Sequence, residues 1–210
     1  TKAKNEQLRA NLLRSISHDL RTPLTSISGN VAILLNNEEA FDKEKRRQLY
    51  TGIYDDSMWL INLVENLLSV TRLEESSMRL NMQVELVDEV IEEALKHISR
   101  KREEHQLVYE PSEELLLAKM DSRLIVQVLI NLVENAIKYN RPNGSVTVSV
   151  KEKNGQAMIL VKDTGIGISE QHQGTIFKRF YREDVVHDVD GIGIGLYLAR
   201  EIVTLQGGYI

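Results

Sequence analysis

Cysteine is absent from the 210 residues, which excludes disulfides and thiolate metal sites. A basic surplus is also missing. The formal net charge is −5, which argues against a nucleic-acid partner. No apolar run approaches the roughly 18 residues of a membrane span, and no basic-then-apolar leader opens the chain. The piece is therefore expected to be soluble, with no direct membrane contact of its own. Thr1 falls inside a charged, helical pattern rather than at a natural start, which fits the inner part of a membrane protein. Repeats and low-complexity tracts are lacking too. What remains is ordinary globular composition, 42% hydrophobic and 27% charged, in a length that suits one large domain or two small ones.

Helical periodicity dominates the first third. Leu13, Ile16, Leu20, Leu24, Ile27, Val31 and Leu34 recur at steps of three and four, predicting one helix over about Lys2–Asn37. Gly29 weakens it slightly, and Pro23 should kink it by removing one backbone bond. A second helix, about Asp42–Glu75, carries Leu49, Ile53, Asp56, Leu60, Leu63, Leu67 and Val70 as a heptad seam with one polar interruption. Two such helices form a hairpin with more apolar face than they can cover themselves. A dimeric four-helix bundle is the natural answer.

The pattern changes after Ser76-Ser77. Met82, Val84 and Leu86 alternate as a strand, and Val87–Glu104 reads as an amphipathic helix. Short apolar runs follow at Gln106–Tyr109 and Leu115–Ala118. Asp121 looks like the cap of a further helix, which Arg141-Pro142-Asn143-Gly144 ends. Val146, Val148 and Val150, the turn Asn154-Gly155, and Met158 to Val161 signal a hairpin. A glycine-rich region and a last helix, about Gly193–Gln206, close the chain. The chain is thus read as two domains, an all-α hairpin at 1–75 and an α+β domain at 76–210.

The run Ser17-His18-Asp19-Leu20-Arg21-Thr22-Pro23 concentrates reactive groups on the first helix. At about 100° per residue, His18 lies roughly 160° from the apolar stripe, so it should face water rather than fill the core. A neutral imidazole offers a nucleophilic lone pair. Asp19 beside it can hold one ring nitrogen and leave the other to attack. Thr22, four residues on, shares the face of His18 and can position a water.

Further along, Asn131, Asn135 and Lys138 share one helical face, ending at Tyr139. Two amides and an ammonium suit hydrated magnesium and a triphosphate, although the same spacing also marks any wet helix face. Asp163-Thr164-Gly165-Ile166-Gly167 follows a strand. It is either an ordinary Asp-Gly turn or a carboxylate placed to accept the amine of adenine, with glycines that admit a flat base. Phe177-Lys178-Arg179-Phe180-Tyr181-Arg182 would set aromatics under a loop and present cations. Gly191-Ile192-Gly193-Ile194-Gly195-Leu196 opens the last helix with free N–H groups suited to phosphate. The acidic stretch between them, from Glu183 to Asp190 with His187, reads as a lid.

In this order the elements resemble the sensor histidine kinases of two-component systems over essentially the whole chain. Ser17–Thr25 is similar to the H box, Asn131–Tyr139 to the N box, Asp163–Gly167 to the G1 box, Phe177–Arg182 to the F box and Gly191–Gly195 to the G2 box. The run from Asn11 to Gly29 is especially similar to the potassium-responsive Kdp sensor kinases. The resemblance implies a dimerisation and phosphotransfer hairpin, then a Bergerat-type ATP-binding sandwich. It implies that His18 is phosphorylated from Mg-ATP on the ring nitrogen farther from the backbone, and that Asp19 activates it. Thr22 would support dephosphorylation of a cognate response regulator, which receives the phosphoryl group on an aspartate. Asn135 would bind Mg2+, and Asp163 adenine. Asn131, Lys138, Tyr139, Gly165, Gly167, Phe177, Phe180, Arg182, Gly191, Gly193, Gly195 and Leu196 would complete the ATP site. The protein would be a homodimer and the cytoplasmic portion of a bacterial inner-membrane sensor.

Two departures stand out. Asp19 occupies a place where Glu is commoner, which keeps the carboxylate. The resemblance also implies further strands past Gly207-Gly208, so the domain at 76–210 is expected to lack its C-terminal strands and some of its stability. ATP hydrolases of the gyrase kind resemble the second domain but need a water-activating glutamate four residues before the magnesium-binding asparagine. That place is Asn131, and Glu134 points about 100° away, which favours transfer over hydrolysis. A non-catalytic, nucleotide-binding dimeric scaffold is the third reading, and water-facing His18 beside Asp19 argues against it.

Overall fold

The computed structural model describes residues 2–37, 41–75, 77–98, 105–181 and 193–210, with side chains from Ile16 onward except that of Glu74. Two compact units emerge. One reaches to Leu68, and the other begins at Ser69 and includes Gly193–Ile210, so the division falls inside the second helix, ahead of the Ser76-Ser77 step.

The first unit is built on α1 (Lys2–Asn37) and α2 (Lys43–Glu74). Asp42 starts α2 as its cap, its carboxylate accepting from the Lys45 N–H at 2.7 Å. Leu49, Leu63 and Val70 on α2, with Leu34 on α1, are buried, and the other heptad positions are half-buried. Gly52 permits close approach of the helices, because a Cβ there would lie 3.1 Å from Asn30 Nδ2. The α1 stripe is not covered evenly. Leu24 and Val31 are exposed, whereas Asp19 and Pro23 are buried. Pro23 lies inside α1 and has no N–H, so the carbonyl of Asp19, four residues back, loses its helical donor.

The second unit is α+β, as the sequence order predicts. It contains β1 (Gln83–Leu86), α3 (Val87–Lys96), β2 (Gln106–Glu110), β3 (Leu117–Met120), α4 (Ser122–Lys138), β4 (Ser145–Lys153), β5 (Gln156–Asp163), the single turn α5 (Glu170–Gln173) and α6 (Gly195–Leu205). β1 pairs antiparallel with β3, and β2-β4-β5 form a second sheet in which β2 runs parallel to β4. The β4–β5 hairpin turns on Asn154 and Gly155, both at positive φ (54° and 75°), as an Asn-Gly pair allows. Val146, Val148 and Val150 alternate inward and meet Val90 and Ile91 of α3 and Val133 of α4 in one core. Each fully buried side chain of this kind contributes roughly 1.5–3 kcal/mol.

One expectation needs correction. α3 does not run to Glu104. It stops at Lys96, where the His97 N–H bonds back three residues to Ala94 O and tightens the last turn; residues 99–104 lie outside the described ones. Within the apolar run at Leu115–Ala118, β3 begins at Leu117, where pairing with Leu86 starts.

One buried carboxylate ties distant parts of this unit together. Asp121 caps α4 through Leu124 N–H at 3.3 Å and accepts from the linker amide of Asn81 at 2.9 Å, while its own N–H donates to Gln206 Oε1 at 2.8 Å. α6 then ends in a Schellman turn: Gly207 has φ 81°, and the N–H groups of Gly207 and Gly208 donate to Thr204 O and Val203 O.

Candidate functional site

In the first unit, α1 presents His18 to solvent with its side chain 72% exposed, and Nδ1 lies 3.2 Å from Asp19 Oδ1. A carboxylate accepts, so this contact places the proton on Nδ1 and the lone pair on Nε2. Asp19 is only 4% exposed, and its Oδ2 is buried without a hydrogen-bond partner. The residue that orients His18 is thus held in the hairpin interior, while the histidine stays outside. Thr22 is exposed one turn on, and Arg21 is exposed as well.

The nucleotide candidates lie in the second unit, where short contacts join the four boxes. Asn131, Asn135 and Lys138 follow one face of α4, Asn131 buried and the other two half-buried. Gly195, the first residue of α6, sits over Asn131: a Cβ there would be 3.6 Å from its side-chain carbon. Lys138 Nζ lies 5.2 Å from the Tyr139 ring centre.

The end of α4 also holds the Asp163 loop. Ile166 N–H donates to Tyr139 O at 3.1 Å, and Asp163 Oδ1 accepts from Gly165 N–H at 2.8 Å. Gly165 must be glycine, because its Cβ would stand 2.4 Å from Tyr139 O. Gly167 adopts φ 74°, a left-handed conformation that glycine takes without strain.

Phe177, Phe180 and Gly193 are joined through α6. Phe180 N–H donates to Gly193 O at 2.9 Å, although Phe180 itself is held at φ 61°. Gly193 has φ 71° and no room for a Cβ against Tyr181 O. Arg200 lies over the Phe177 ring and Arg179 over the Tyr197 ring, at 5.4 and 5.0 Å. Leu196 is half-buried in the first turn of α6. Arg182, Gly191 and the expected lid from Glu183 to Asp190 lie outside the described residues.

Sequence reasoning passed over Asn140. Its Nδ2 donates to Ser145 O at 3.0 Å, and its Oδ1 accepts from Arg141 N–H at 2.9 Å and Thr164 Oγ1 at 3.2 Å. An asparagine just past a helix end was the available signal.

Among the described residues no group of three or more His, Asp or Glu side chains could hold a metal. The amide face of α4 fits magnesium that keeps its waters and phosphate ligands rather than one in an all-protein cage. An apolar cavity of about 810 Å³ lies elsewhere, between β3, β5, α4 and α6, and none of the candidate nucleotide residues lines it.

A helical hairpin is followed by an α+β domain, and exposed His18 and the candidate nucleotide residues lie in separate units. Comparison with known proteins agrees. Residues 8–76 match the His Kinase A (phospho-acceptor) domain, and residues 120–210 match the histidine kinase-, DNA gyrase B- and HSP90-like ATPase family. The chain is 40% identical to the sensor protein KdpD of Clostridium acetobutylicum over 99% of its own length, and 32% identical to KdpD of Escherichia coli, also over 99%. It spans 23% of the length of each. The solved Acinetobacter baumannii histidine kinase AdeS matches with a TM-score of 0.58 and 27% identity, over 89% of this chain and 86% of that one. The chain belongs to the sensor histidine kinases, with Kdp-like similarity.

Proposed function

We propose that this chain is the catalytic core of an ATP-dependent protein-histidine kinase that phosphorylates His18 and passes the phosphoryl group to an aspartate of a response regulator. One observation carries the reading: an exposed imidazole whose Nδ1 is engaged by a buried carboxylate, in a chain that also holds the N, G1, F and G2 elements of an ATP site.

The chemistry needs little covalent help from the protein. Nε2 of His18 attacks the γ-phosphorus, the N–P bond forms, the bond to the β-bridging oxygen breaks, and ADP leaves. The imidazole becomes cationic in the process, and the Nδ1 proton passes toward Asp19 Oδ1. Acceptance of that proton by a positioned carboxylate is worth about 10²–10⁴ in rate. Asn135, with Asn131 on the same face, would hold the magnesium of the triphosphate, which would supply charge neutralisation. Lys138 meets phosphate, the amides at Gly193 and Gly195 lie at the start of α6, and Asp163 accepts from the adenine amine. Thr22, exposed one turn from His18, positions water for dephosphorylation of the regulator.

Residues 1–75 serve as the dimerisation and phosphotransfer hairpin, and 76–210 as the catalytic domain. Leu24, Val31, Leu35, Tyr54, Ile61 and Val64 are exposed on the single hairpin, which supports a homodimer burying them in a four-helix bundle. No described helix is long and apolar enough to cross a membrane. We place this portion on the cytoplasmic side of a bacterial inner-membrane sensor. Incubation with ATP labelled at the γ position tests the central claim. Label that is acid-labile, stable in alkali and lost in His18→Gln supports it. Wild-type protein that binds ATP without taking label refutes it.

A further inference from the structure

We infer that Asn140 is a positioning residue for adenine recognition, fixing Asp163 through Thr164. This deepens the kinase reading and rests on its assignment of Asp163 to the adenine amine.

Asp163 is exposed at the last position of β5 and pairs with Val146 near the start of β4. An exposed carboxylate at a strand end discriminates one base from another only if its backbone is fixed. The fixing runs through a closed ring of hydrogen bonds one residue away. Ser145 N–H donates to Thr164 Oγ1 at 2.9 Å, and Thr164 N–H donates to Ser145 O at 3.1 Å. Asn140 Nδ2 donates to the same Ser145 O at 3.0 Å.

With two donors already on Ser145 O, the Thr164 hydroxyl proton goes to Asn140 Oδ1 at 3.2 Å rather than to Ser145 O at 3.4 Å. The orientation of the Asn140 amide is settled chemically: Arg141 N–H, 2.9 Å away, can only donate, so the atom facing it is the oxygen. Gly144 leaves room for this amide, since a Cβ there would come within 2.2 Å of Oδ1. Asn140 is the first residue past the Tyr139 cap of α4. It thus couples the helix bearing Asn131 and Asn135 to the loop bearing Asp163. A purely structural asparagine would secure the α4–β4 turn alone. This one also grips the residue next to the base-reading carboxylate.

The test compares Mg-ATP with Mg-ITP, whose purine carries a carbonyl in place of the 6-amino group, binding to the full chain at equilibrium. Wild type should prefer ATP. Asn140→Ala should lose about five- to tenfold in ATP affinity, one hydrogen bond's worth, while ITP affinity stays within about twofold. Thr164→Val should reproduce that selective loss, and Thr164→Ser, which keeps the hydroxyl, should restore it. These two carry the test should Asn140→Ala fail to fold. Equal losses for both nucleotides, or an unchanged ATP-to-ITP ratio in Thr164→Val, would overturn the assignment of Asn140. Wild type that binds ATP and ITP equally would instead overturn the adenine role of Asp163, and the inference with it.

Discussion

Adding one methyl group at Gly165 should damage stability and nucleotide binding together. A Cβ at this position stands 2.4 Å from Tyr139 O and 2.7 Å from Asp163 Oδ1. Tyr139 O is backbone at the end of α4 and cannot swing aside as a flexible side chain would. Relief requires the loop to back away by roughly 1 Å, toward ordinary contact distances. That movement breaks Ile166 N–H→Tyr139 O and the turn from Gly165 N–H to Asp163 Oδ1. At about 1 kcal/mol each the cost is about 2 kcal/mol, or roughly 6–10 °C in melting temperature for a unit of this size. Calorimetry should follow the transition that ATP raises, because ligand-linked stabilisation marks the unit that binds it. ATP affinity should fall by about tenfold or more as Asp163 is displaced. Gly174→Ala is the control, since its Cβ meets nothing within 4 Å and its φ of −74° suits alanine. Gly165→Ala melting with its control, with ATP affinity unchanged, would refute the claim that α4 sets the position of Asp163.

Gly29→Ala, inside α1 with nothing within 4 Å of its Cβ, should stabilise the hairpin by about 0.5–1 kcal/mol in chemical denaturation; a loss of stability would contradict the open helical site. Asp19→Asn should slow labelling of His18 by about 10²-fold or more while leaving the circular dichroism spectrum and ATP affinity as they were, and labelling within a few-fold of wild type would remove Asp19 from the mechanism. Tyr109 donates a short hydrogen bond to Asp88, and burial, then that bond and the Asp88 charge, push its phenol well above the ordinary range. Its folded pKa being raised, the stabilisation is present below the unfolded value near 10 and is lost as pH climbs past it. Tyr109→Phe should therefore flatten the alkaline loss of stability above about pH 10, and an unaltered alkaline limb would discount the Tyr109–Asp88 pair.

The parts legible in the sequence are those whose signal is local. The α2 seam repeats without a slip from Leu49 to Val70, Asp121 caps its own helix, and Asn154-Gly155 carries the two positive φ angles that its hairpin needs. The parallel register of β2 on β4 was not legible, because nothing in Gln106–Glu110 encodes a partner beyond β3 and α4 in the chain. The burial of Asp19 escaped for a related reason. Periodicity counted apolar residues and passed over a carboxylate on the inward side, which Pro23 one turn later shares. The His18 phase was read from spacing alone, and its exposure agrees. At the nucleotide site the motifs marked residue types but not the backbone contacts between boxes. Phe180 N–H to Gly193 O and Ile166 N–H to Tyr139 O depend on distant segments meeting. Asn140 was passed over for the same reason.

The convergence on Asp121 has a kinetic meaning. Its carboxylate takes the amide protons of Asn81 and Leu124, and its own amide is given to Gln206, so three segments far apart in sequence close on a single residue. Breaking any one of these contacts loosens the others, and a local opening here is shared. In deuterated water, the amides of Asn81, Asp121 and Leu124 should report one common opening free energy once their intrinsic exchange rates are divided out, as a single cooperative unit. The stretch just after the helical hairpin and the end of α6 would then unfold and refold in step.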